Sequence, residues 1–144
     1  MIVPDVNVLI YAADSQSVHH DAARQWWEQV LSTDTPVGLP WVVATGFLRI
    51  VTNDRILQAP YAPEEAMDIV DGWFARPSVL AIGPGRRHAQ LLRGFLDEAG
   101  RGGNVVPDAH IAAITVEHDA TLWSTDRGFA RFTALPWRDP LAAR

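Results

Sequence analysis

An α/β domain built on a mostly parallel sheet is what this sequence predicts, and three observations predict it. Short β-rich runs alternate with longer helical patterns along the chain, as expected when crossover helices join the strands of one sheet. Hydrophobic residues make up 48% of the 144 residues, enough for a sizeable core. Acids follow two of the β-rich runs, and the strand exits are where open α/β sheets place ligands. The length suits one domain spanning 1–144. No internal repeat, linker or low-complexity tract divides it.

Taken in order, Met1–Val3 reads as a short buried first strand ending at Pro4-Asp5. Val18, Ala22, Trp26 and Val30 recur every fourth residue, with Ala23, Trp27 and Leu31 alongside. That is one wide apolar stripe on a helix, with Ser17 as its expected N-cap. Pro36–Leu39 is the second strand, and a helix follows from about Trp41 to Thr52. Pro63 opens the next helix, with Glu64 and Glu65 in a first turn that favours acids. Ala66, Ile69, Val70, Trp73 and Phe74 form its buried face. Val79–Ile82 is the third strand, broken by Gly83-Pro84-Gly85. A helix carrying Leu91, Leu92, Phe95, Leu96 and Ala99 runs to Gly100. After the Gly-rich loop 100–103, Pro107-Asp108 begins a small-residue helix with Ala109, Ala112, Ala113 and Val116 inward. Thr121–Ser124 is the fourth strand, and the short tail beyond Phe132 leaves room for one edge strand.

Composition excludes several chemistries. There is no cysteine, hence no disulfide framework, thiolate zinc site or Cys nucleophile. Every cationic side chain is Arg; without Lys, the P-loop and Schiff-base chemistries are absent too. The five histidines show no zinc-ligand spacing. A net charge of −5 argues against broad non-specific duplex binding. No apolar run approaches the ~20 residues of a membrane span. The apolar opening MIVPDVNVLIYA lacks the basic stretch of a signal peptide. A cytoplasmic location is expected.

The chemistry concentrates on three acids. If the strands before Asp5 and Asp126 lie side by side, both carboxylates reach one crevice, and Asp108 joins them from a helix start. Clustered carboxylates repel and raise one another's pKa. A hard divalent cation relieves that repulsion, and with open water positions it suits phosphodiester hydrolysis. Each acid also has a purely structural reading: Asp5 and Asp108 as helix N-caps, Asp126 as a turn residue. Around them, Asn7, Ser124, Thr125 and Arg127 are candidate substrate contacts. Arg131, Arg49 and Arg55 are further candidates for gripping phosphates. His110 stands two residues beyond Asp108, with a structural role the simpler reading. Trp41 and Trp123 are candidates for stacking a base.

PDVNVLIYA at the N-terminus, GFLRIVTN at 46–53, PDAHIAAI at 107–114 and LWSTDRGFARF at 122–132 together resemble the PIN-domain ribonucleases. Within them the likeness is to the VapC-type toxins of bacterial type II toxin–antitoxin pairs. The resemblance covers essentially the full chain. It implies a three-layer α/β/α PIN-like fold with a central mostly parallel sheet. It also implies Mg²⁺- or Mn²⁺-dependent endoribonuclease activity, with Asp5, Asp108 and Asp126 as catalytic metal ligands. Cleavage would leave a 5′-phosphate and a 3′-hydroxyl, on tRNA or rRNA. The implied partners are a homodimer mate and a cognate VapB-type antitoxin. Two positions depart from the family's pattern: Gly46 stands where a helical Glu is usual, and Gly128 where another Asp often follows. The metal site is therefore expected to hold three carboxylates, with Asn7, Ser124, Thr125 or water completing it. The rival expectation is a non-catalytic PIN-like binding module with a depleted metal site.

Overall fold

In a computed structural model describing residues 1–142, five parallel strands form one sheet in the order β3-β2-β1-β4-β5. The strands are β1 Ile2–Pro4, β2 Val37–Pro40, β3 Val79–Ile82, β4 Thr121–Trp123 and β5 Trp137–Arg138. Helices α1 Val6–Ala13 and α2 His20–Leu31 connect β1 to β2, and α3 Trp41–Val51 and α4 Pro63–Phe74 connect β2 to β3. Then α5 His88–Ala99 and α6 Val105–Glu117 carry the chain back across the sheet to β4. Right-handed crossovers running in opposite directions put their helices on opposite faces. The packing agrees: α1 lies against α2 and α3, and α5 against α6. The architecture is the expected three-layer α/β/α sandwich, with every strand parallel.

The strands are short and their inner positions carry no polar side chains. Val3, Val37, Leu39 and Leu122 are fully buried, as are Phe47 on α3 and Val8 and Leu9 on α1. Continuous apolar burial is what a parallel sheet covered on both faces demands. On the α1–α4 side, Trp27 meets Trp73 edge-on at 5.7 Å and Phe47 lies 4.8 Å from Trp73. Tyr61 donates from its hydroxyl to the Ala13 carbonyl at 2.6 Å, tying the end of α1 to the segment after α3.

Three sequence expectations need correction. The apolar stripe of α2 begins later than expected: Val18 is 94% exposed. The segment before His20 is a turn, in which the Ser17 Oγ accepts from the His19 amide at 3.1 Å instead of capping the helix. Helix α6 begins at Val105 with Asn104 as its N-cap residue, so Asp108 lies inside the first turn and is not a cap. Proline at 107 did not mark the start; its missing amide is harmless in a first turn, where amides have no helical partner.

One contact of the third crossover is built by an acid. Glu117, at the end of α6, accepts from the Gly85 amide at 2.8 Å and the Arg87 amide at 2.8 Å. Those bonds, the Gly85 amide first, hold its carboxyl below the usual glutamate range. A Cβ at Gly85 would lie 2.6 Å from the Glu117 carboxylate, so any other residue there would push that side chain off its present position. Glu117→Ala is expected to speed hydrogen exchange of the Gly85 and Arg87 amides while leaving the β1 and β4 amides protected. Unchanged exchange at both loop amides would refute the tie.

Candidate active site

Between β1 and β4 the connections change direction. The chain leaves β1 toward β2 and β3 on one side and returns to β4 on the other. Such a switch point opens a crevice beyond the carboxyl ends of the two strands. Asp5 directly follows β1, and Ser124, Thr125 and Asp126 directly follow β4. The register sets Pro4 opposite Trp123, and the Asp5 amide donates to the Trp123 carbonyl at 2.9 Å. The two strand exits are therefore hydrogen-bonded neighbours.

Asp5 is the buried member, with only 6% of its surface exposed. Its Oδ1 accepts from the Val6 amide at 2.8 Å, which makes it the N-cap of α1. Its Oδ2 accepts from the Ser124 hydroxyl at 2.7 Å. The structural reading of Asp5 is thus correct, and it is compatible with the functional one because the second oxygen is held at the crevice. Burial pushes its pKa up; the bonds from Ser124 and Val6 pull it down, and the charge of Asp126 adds to the rise.

Ser124 is fully buried and organises the group. Its single proton goes to Asp5, so its oxygen accepts from the Asn7 amide nitrogen at 3.2 Å and from the Asp126 backbone amide at 3.0 Å. The Asn7 Oδ1 is left buried with no hydrogen-bond partner. Asp126 is exposed. Its Oδ1 accepts from the Gly128 amide at 2.8 Å and caps the short 3₁₀ helix Arg127–Arg131. Here too the turn reading is correct.

Asp108 arrives from the other helical layer. Helix α6 ends shortly before β4 begins, so its first turn lies at the opposite end, toward the strand exits. Burial raises the Asp108 pKa first, then the charges of Asp126 and Asp5, while Arg131 lowers it. The three predicted acids therefore act on one another electrostatically. As they lie, no group of three His, Asp or Glu side chains among the described residues closes on one point.

The remaining candidates divide. Thr125 is half-buried next to Asp126, and Arg127 is exposed, lining a shallow recess with Trp137 and Arg138. Arg49 belongs to the last turn of α3, at the end tied to Ala13. Arg55 is exposed in the turn after α3, and among the described residues neither arginine forms an ion pair with the three acids. Trp123 packs on Trp26 at 5.6 Å, and Trp41 stacks on Phe74 at 5.0 Å while 49% exposed. His110 pairs with His88 through a 3.0 Å nitrogen–nitrogen contact between α6 and α5. The histidine pair was missed; helical spacing places His110 on α6 but says nothing of what faces it from α5. A Cβ at Gly46 would touch Val6 at 3.4 Å, so that position borders the residue next to Asp5.

The fold is thus an all-parallel α/β sandwich with acids at its switch point, the place where open α/β sheets bind ligands. Residues 2–135 match the PIN domain. The VapC ribonuclease Mb2897 of Mycobacterium bovis is 42% identical over 141 residues, covering 98% of this chain and 96% of that one. Ribonuclease VapC33 of Mycobacterium tuberculosis is 38% identical over 141 residues, covering 98% and 99%. Among solved structures, VapBC2 of Rickettsia felis bound to a promoter DNA fragment superposes with a TM-score of 0.68 at 19% identity, covering 96% of this chain and 98% of that one. The chain belongs to the PIN-domain family and, within it, to the VapC group.

Proposed function

We propose that this protein is a metal-dependent endoribonuclease and the toxin of a type II toxin–antitoxin pair. The observation that carries the reading is the placement of Asp5 and Asp126 at adjoining strand exits, with Asp108 close enough to feel both charges and with the pKa values of Asp5 and Asp108 raised. Perturbed carboxylates in a crevice are candidates for function, and VapC relatives named as ribonucleases match the chain almost end to end.

The residues fit a hard cation. Asp5, Asp108 and Asp126 offer only oxygen donors, the set that Mg²⁺ or Mn²⁺ takes. The buried Asn7 Oδ1 without a partner suits a further ligand or a bound water, since buried acceptors seldom go unpaired. When bound, the cation supplies a water of lowered pKa and neutralises charge at the scissile phosphate. The chain's own part is orientation. Ser124 and the Val6 amide fix the Asp5 carboxylate, the Gly128 amide fixes Asp126, and the first turn of α6 carries Asp108. Water attack at phosphorus breaks the bond to the 3′ oxygen, leaving a 5′-phosphate and a 3′-hydroxyl; the departing oxygen takes up a proton. Structured RNA such as tRNA or rRNA is the substrate class.

A VapB-type antitoxin is the proposed partner, with an Arg of its C-terminal segment pairing with the three acids, and the toxin is a homodimer. Native mass spectrometry showing only monomer would count against the second claim. No helix among the described residues is long and apolar enough to cross a membrane.

Glycine at 46 and 128 favours a second reading, a PIN-like binding module without cleavage. Purified protein and total cellular RNA, with Mg²⁺, Mn²⁺ or EDTA, separate the two. Discrete fragments that need metal, reduced by about 100-fold or more in folded Asp108→Ala, support the nuclease. No cleavage by folded wild type under either metal leaves the binding module.

A further inference from the structure

Gly128 stands between an acid and a cation. Its amide donates to Asp126 Oδ1 at 2.8 Å, and its carbonyl accepts from Arg131 Nε at 2.8 Å. A Cβ at this position would come within 3.0 Å of both Arg131 Nη2 and Asp126 Oδ1. A side chain at 128 would therefore crowd the guanidinium, which would have to give by a few tenths of an ångström. Among the described residues no ion pair engages Arg131; the ion pair found there joins Arg24 to Glu28 on α2.

A guanidinium anchored through Nε, with its terminal nitrogens not paired to a carboxylate, matches phosphate geometry. The location makes such a group necessary. Three carboxylates in one crevice repel a polyanion, in a chain whose net charge is already −5. A cation at their rim offsets that repulsion where the backbone of RNA must approach. We infer that Arg131 grips an RNA phosphate at the rim of the Asp5–Asp108–Asp126 crevice, beside Gly128. The inference rests on the ribonuclease reading and adds a substrate-binding residue to it.

Binding of fluorescein-labelled bulk tRNA in EDTA, followed by anisotropy across a salt series, tests it apart from cleavage. Each phosphate contact contributes to the slope of log affinity against log salt. Arg131→Gln is expected to bind several-fold more weakly and to lower that slope by about one. Arg131→Lys keeps most of the slope because it keeps the charge. Gly128→Asp sets a carboxylate against the guanidinium and is expected to lose at least as much slope as Arg131→Gln, because it engages that one contact and adds a negative charge. In cleavage assays the loss in Arg131→Gln falls mainly on KM. An unchanged slope in Arg131→Gln would overturn the inference even if melting temperature or activity fell, because a purely structural arginine gives that pattern. Gly128→Asp binding as tightly as wild type would overturn it as well. If wild type neither binds nor cleaves RNA, the ribonuclease reading fails with it; if wild type cleaves and the slope holds, only the role of Arg131 fails.

Discussion

Asp5→Asn is expected to abolish RNA cleavage and yet, without metal, to melt at a higher temperature than wild type. The two effects have one cause. Asparagine keeps the N-cap bond to the Val6 amide, since Asn and Asp cap about equally well, but its amide nitrogen cannot accept from the Ser124 hydroxyl, so that bond is given up; desolvation, the larger influence on Asp5, is what the substitution relieves. It removes a buried negative charge whose pKa is raised chiefly by desolvation. A carboxyl with a raised folded pKa is more readily protonated folded than unfolded. Its penalty is fully present above the folded pKa and is relieved as pH falls toward the unfolded value, so it makes stability decline with rising pH. Asp108 contributes in the same sense. Metal-free wild type should therefore gain from mild acid more than Asp5→Asn does. At this chain length each kcal/mol moves the melting temperature by about 3–4 °C. Calorimetry in EDTA at two pH values measures this. A variant that melts lower than wild type at neutral pH would show that the carboxylate is a structural element and not a strained functional one.

Ser124→Ala has the second largest expected effect, and it acts through other residues. The hydroxyl is wholly buried and joins Asp5, Asn7 and the Asp126 amide. Alanine leaves the Asn7 amide and the Asp126 amide without that acceptor, at about 1–3 kcal/mol for a buried group left unpaired. It also removes the main bond that lowers the Asp5 pKa, so Asp5 holds its proton to higher pH. The acid limb of the cleavage profile should move to higher pH, with activity reduced about 10- to 100-fold. A profile that keeps its acid limb while activity falls would show that Ser124 only supports the fold.

Much of this protein can be read locally. The alternation of strands and helices, the third strand at Val79–Ile82 and the helix stop at Gly100, with φ +69°, follow from periodicity and turn chemistry. So does the position of Asp5 and Asp126 at strand ends, because acids that end a buried apolar run have nowhere apolar to go. Helix starts are less legible: the fourfold spacing includes Val18, which is exposed, and Pro107-Asp108 resembles a helix opening although α6 begins at Val105. In both places the first turn carries weak signals that neighbouring contacts override.

The sequence by itself determined the α/β class and the place of Asp5 and Asp126 at two strand ends, because burial pattern and breaker residues act over a few positions. Only the tertiary structure decided that β1 lies beside β4, which brings Asp5 to Ser124 across 119 residues of chain. It also decided that Ser124 is the hub and that Gly128 bonds to both Asp126 and Arg131. Those facts depend on which strands become neighbours and on which side chains then compete for one volume. Sheet order is set by the packing of whole layers, and no short stretch of sequence records it.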